Sequence, residues 1–141
     1  MKNNLNRFVE AQAGSYQTAL AEIKNGHKRS HWMWYVFPQI QGLGLSETAR
    51  FYAIQDLREA EAYACHPVLG PRLVEISTAL LGVKSTDAPA VMGSPDDLKL
   101  KSSMTLFGAL PEANPVFQAV LKKFFGGAHD EKTLRILGQS G

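Results

Sequence analysis

The sequence predicts an all-α fold, a compact single-domain bundle of seven or eight short helices spanning residues 1–141. Three observations carry that expectation. Apolar residues recur at helical spacing. Start signals such as Ser94-Pro95-Asp96-Asp97 and Asn114-Pro115 precede two of these stripes. No run is followed by the hairpin turn or partner strand that a sheet would need. With 45% hydrophobic and 20% charged residues, the chain can bury a core without help from metal or disulfide.

Taken in order, Leu5, Phe8, Val9 and Gln12 share a helical face, with Asn4 as the candidate cap. Ser15 can cap a second helix carrying Tyr16, Ala19, Leu20 and Ile23, which Asn25-Gly26 ends. The run Lys28-Arg29-Ser30-His31-Trp32-Met33-Trp34-Tyr35-Val36-Phe37-Pro38-Gln39 is ambiguous by periodicity. It reads as a strand buried on both faces or as a short helix capped by Ser30 and stopped by Pro38, and the missing partner strand favours the helix. After the Gly42–Gly44 loop, Ser46 begins a helix whose continuation, Leu57 to Cys65, Asp56 caps. Pro71 sits in the first turn of a helix with the stripe Leu73, Ile76, Leu80 and Leu81. Thr86 and Pro89 suggest one short turn. Proline and two acids at the positive end of the dipole then open a helix carrying Leu100, Met104 and Phe107. Val116 to Phe125 follows, stopped by Gly126-Gly127, and Asp130 caps a last helix, Glu131 to Leu137.

Charge excludes little. The formal net charge is +2, too small to point to nucleic acid by itself, although Lys2, Arg7, Lys24, Lys28 and Arg29 make residues 1–30 locally basic. Nucleic acid is therefore not the expected partner. Cys65 is the one cysteine, so no intramolecular disulfide can form and a reducing compartment is expected. Without a signal-type apolar run or a membrane-length segment, the expectation is a cytoplasmic protein with no membrane contact. His27 and His31 are four apart, but Gly26 and the cations between the histidines argue against a metal site. No cofactor is called for.

Two constellations stand out as chemistry. Trp32 and Trp34 can stack a planar ring while Lys28, Arg29 and the amides of a helix start hold phosphate, with His31 and Gln39 beside them. The same aromatics equally suit a core, each covering on the order of 150–250 Å². In the second constellation, Asp97, Lys101 and Thr105 fall on one helical face at steps of four, and Ser102, Ser103 and Thr105 place hydroxyls where apolar residues would pack better. Back-bonding to the preceding turn and a polar pocket wall both explain those hydroxyls.

The Lys28–Gln39 run, Gly42-Leu43-Gly44, Ala62-Tyr63, His66-Pro67, Leu69-Gly70-Pro71-Arg72-Leu73 and Asp97 through Phe107 together resemble a bacterial family, domain of unknown function 1810. The resemblance covers nearly the whole chain and implies a mainly helical single domain without an established activity. Some members carry the label calpastatin, although that inhibitor is a disordered repetitive chain and this one is apolar and densely capped. The early aromatic helix and the late Lys-led helix are more faintly similar to the NADAR superfamily of NAD- and ADP-ribose-associated proteins. That pattern sets a glutamate beside a histidine; Ser30-His31-Trp32-Met33-Trp34-Tyr35 contains no acid.

Together these readings lead to one expectation: a nucleotide- or ADP-ribose-like ligand held between the aromatic segment and the Asp97–Phe107 helix. Ligand contacts are expected from Lys28, Arg29, Trp32, Trp34, Gln39, Lys101, Ser103 and Thr105. If the protein is an enzyme, Asp97 and His31 are the catalytic candidates, and hydrolysis of an N-glycosidic bond is the reaction. The alternative is a non-catalytic protein-interaction module presenting an exposed apolar face.

Overall fold

The structure, a computed structural model, describes residues 4–140; Lys2, counted among the N-terminal cations, lies outside them. Among the described residues there are ten helices, and the extended pairing is one isolated parallel bridge, Ile40 to Ile54. The helices are α1 (Asn6–Ala13), α2 (Tyr16–Lys24), α3 (Met33–Val36), α4 (Glu47–Phe51), α5 (Leu57–Cys65), α6 (Leu69–Gly82), α7 (Ala88–Met92), α8 (Asp96–Gly108), α9 (Pro115–Phe125) and α10 (Glu131–Ser140).

The number exceeds the expected seven or eight partly because the turn expected near Pro89 is a helix of its own, α7, and partly because the stretch read as one helix with a continuation breaks at Tyr52–Asp56. There the chain turns to answer other partners. Ile54 N–H donates to Gln39 O at 2.8 Å, and Gln41 N–H donates to Ile54 O at 2.8 Å. The Arg7 guanidinium donates to Phe51 O at 2.8 Å and Ala53 O at 2.9 Å, and pairs with Glu59 at 3.2 Å. Both side chains of that ion pair are almost wholly buried. A helix through this segment would leave the guanidinium without its carbonyls.

Several caps are as expected. Ser46 accepts from Ala49 N, Asp56 from Glu59 N, Asn114 from Val116 N and Asp130 from Thr133 N. Gly126, at φ 62°, supplies the left-handed residue that ends α9. Others differ. Neither Asn4 nor Ser15 caps through its side chain; the Ser15 hydroxyl instead accepts from Tyr35 Oη at 3.0 Å. Ser30 does not cap α3, whose cap position is Trp32, because its hydroxyl donates to Glu22. The α8 helix starts at Asp96 without a serine cap, since Asp97 N–H is taken by Gly93 O at 2.9 Å.

The core is built around α8, which packs on α5, α7, α9 and α10. Leu100, Met104, Leu106 and Phe107 are fully buried there, with Phe8, Tyr63, Leu73, Ile76 and Val120 from the surrounding helices. Gly70 permits the tight α5–α6 corner: a Cβ at that position would sit 2.1 Å from Ala64 O. No helix among the described residues is long and apolar enough to cross a membrane.

Candidate functional site

The aromatic segment and the start of α8 meet. Lys28 Nζ lies 2.8 Å from Asp96 Oδ2, and Lys99 Nζ lies 5.1 Å from the centre of the Trp34 ring. Beside this junction runs an open groove of about 560 Å³. Gln39, Leu43 and Gly44 form one wall, the first turns of α8 another, and His129 to Arg135 at the start of α10 the third. Its charge is mostly positive. Lys99 and Lys101 come from α8 and Lys132 and Arg135 from α10, against Asp130 and Glu131.

The hydroxyls of α8 explain why α10 lies here. Ser102 Oγ donates to Leu98 O and to Asp130 Oδ2, at 3.2 and 3.1 Å. Thr105 Oγ1 donates to Lys101 O at 2.8 Å and accepts Asp130 N–H at 2.9 Å. Asp130 Oδ2 also accepts from Thr133 N and Thr133 Oγ1, at 3.1 and 2.5 Å. One carboxylate therefore both caps α10 and docks it on α8.

The expected site residues fall into three groups. Gln39 and Lys101 line the groove, and the partly exposed Trp34 adjoins it through Lys99. Lys28 supports it from behind: its side chain is 7% exposed, bonded to Ser30 O and Asp96, with its ammonium 5.0 Å from the Trp32 ring centre. The remaining residues stand away from the groove. Asp97, Ser103 and Thr105 are 7%, 0% and 1% exposed, so the hydroxyls expected to touch ligand, and the carboxylate expected to activate water, are sealed within the fold. Asp97 Oδ1 and Ser103 Oγ are buried without a hydrogen-bond partner. Trp32 is a core residue, and with His31 it borders a separate pocket of about 140 Å³ beside Ser15, Thr18 and Tyr35. Arg29 is exposed and lines none of these hollows.

Trp32 is oriented by a residue that the sequence reading passed over. Glu22 accepts from Arg29 N at 2.7 Å, Ser30 N at 2.9 Å, Ser30 Oγ at 2.5 Å and Trp32 Nε1 at 2.9 Å. Partial burial pushes its carboxyl upward, but these donors outweigh that and hold it at about 2. His129, Lys132 and Arg135 were missed as well, and Lys99 was not among the expected ligand contacts. The available signal was the step of three between Lys132 and Arg135 on one helix face. Among the described residues, no group of three or more His, Cys, Asp or Glu side chains is arranged to hold a metal ion.

Comparison with known proteins agrees with this fold. A family model described as "Protein of unknown function (DUF1810)" matches residues 2–137. The chain is similar to a crystal structure of the conserved hypothetical protein Rv1873 from Mycobacterium tuberculosis. The two are 47% identical, 96% of each chain is covered, and the TM-score is 0.94. No curated protein matches the chain.

Proposed function

The chain belongs to the DUF1810 family, and from that premise we propose that it binds a nucleotide- or ADP-ribose-like small molecule in the groove bounded by Gln39, α8 and α10. The observation carrying this reading is the gathering of four cations, Lys99, Lys101, Lys132 and Arg135, along one groove, with the Trp34 ring adjoining it under the Lys99 ammonium. Its volume of about 560 Å³ lies within the roughly 300–1,000 Å³ of small-molecule sites. A planar base contacts the Trp34 edge while the anionic part lies among the cations.

The reading stops at binding. Hydrolysis of an N-glycosidic bond needs a carboxylate that reaches both water and sugar. Asp97 is sealed and Asp130 is committed to Ser102 and Thr133. Glu131, exposed at the rim, is the carboxylate to replace should turnover be detected. The NADAR likeness, which the family match does not carry, supports only the choice of ADP-ribose as a probe.

A thermal-shift titration with ADP-ribose, NAD and ATP on wild type and Trp34→Ala tests the reading. Ligand at 100 times its Kd stabilises the fold by about 2.7 kcal/mol. The shift is expected for at least one compound and is weaker in the variant. No shift with any of them overturns the proposal in favour of the interaction-module reading. That second reading draws on Leu45, just before α4, and Phe51, its last residue, 76% and 55% exposed.

A further inference from the structure

We propose that the α10 end of the groove is a phosphoryl-binding subsite formed by Lys101, Lys132 and Arg135, which takes the mono- or diphosphate group of a small molecule. The inference deepens the binding reading and rests on it for the rest of the ligand.

The first support is uncompensated charge. The ion pairs among the described residues are Arg7–Glu59, Lys28–Asp96 and Lys99–Asp96. Lys101, Lys132 and Arg135 therefore line one concavity with no carboxylate of the described residues in pairing range. Asp130 keeps its charge, but its Oδ2 is held by Ser102 and both Thr133 donors and forms no ion pair with these cations. Against four cations in the lining stand two carboxylates, Asp130 and Glu131, so the groove remains net positive. Like charges brought to one groove from two helices repel one another, and an anion placed between them relieves the repulsion.

The second support is donor chemistry. Arg135 offers a planar fork that suits two phosphate oxygens, and the two lysines supply compact charges with rotatable donors. The positive end of the α10 dipole opens on the same space and adds to the field. Because Lys101 belongs to α8 and the other two to α10, an anion held by all three clamps the C-terminal helix to the body of the domain. Occupancy therefore slows amide exchange at the start of α10, which a diffuse ion atmosphere would not do selectively.

The test is calorimetric titration of the full chain with inorganic pyrophosphate at fixed ionic strength, coupled to hydrogen exchange. The variants are Lys132→Ala/Arg135→Ala and, as a control, Arg58→Ala/Lys122→Ala, whose residues are exposed outside the groove. Saturable one-site binding is expected for wild type and control, weakened at least tenfold in the groove variant, with α10 exchange slowed on binding. Equal weakening in the control, or binding that never saturates, identifies general surface attraction and overturns the subsite. Nucleotide binding that survives Lys132→Ala/Arg135→Ala unchanged also overturns it, while leaving the binding reading intact. Pyrophosphate binding that gains nothing from an attached nucleoside supports the subsite and removes the nucleotide reading instead. Absence of binding by both probes ends both.

Discussion

The indole Nε1–H of Trp32 donates to Glu22 Oε1 at 2.9 Å, so the orientation of a core tryptophan depends on one carboxylate. Burial raises the Glu22 pKa, but its four donors outweigh that and bring it down to about 2, from an ordinary 4.5. A folded value below the unfolded one means that this carboxylate stabilises the protein above pH 4.5, and the contribution is lost as pH falls toward 2. Urea melts across that window should show wild type losing stability more steeply than Glu22→Gln. At neutral pH, Glu22→Ala should cost about 2 kcal/mol, because the Trp32 N–H is left without its partner.

The two tryptophans should respond differently to truncation. Trp32 is 1% exposed, so Trp32→Ala is expected to cost about 3–5 kcal/mol in chemical denaturation. Trp34, partly exposed under the Lys99 ammonium, should cost less than about 1 kcal/mol on removal while weakening any nucleotide that binds. Equal destabilisation by the two substitutions would place Trp34 in the core as well.

The Arg7–Glu59 pair joins residues far apart in sequence in a nearly dry setting. Arg7→Ala should lower stability by about 3–5 kcal/mol, because it leaves a buried carboxylate unpaired. Arg7→Lys should recover little of this. One ammonium cannot reproduce the fork that reaches Phe51 O, Ala53 O and both Glu59 oxygens.

Asp97 should behave in the opposite way. Its buried Oδ1 has no hydrogen-bond partner, so Asp97→Asn is expected to be neutral or to add up to about 1 kcal/mol to the unfolding free energy. It should leave ligand affinity unchanged. A loss of more than 1 kcal/mol, or of binding, would give this carboxylate a role in the groove.

The helical class, the meeting of the aromatic segment with α8, and the caps at Ser46, Asp56, Asn114 and Asp130 were legible in the sequence. Each depends on spacing or on a side chain answering an amide a few residues away. The groove was legible only in part. Gln39 and Lys101 line it, but the Ser102 and Thr105 hydroxyls that suggested a pocket wall instead hold Asp130, 28 and 25 positions away. No local pattern announces such a partner. The same holds for Glu22, whose four donors come together only when the loop after α2 closes over it.

The reach of Arg7 also bears on biosynthesis. Its guanidinium takes acceptors from Phe51, Ala53 and Glu59, so the first helix to leave the ribosome waits, with these polar partners unmet, until Glu59 has emerged from the exit tunnel. Early translation therefore yields a tethered, unseated α1, and a nascent chain stalled before that point should remain open to protease at its amino-terminal end.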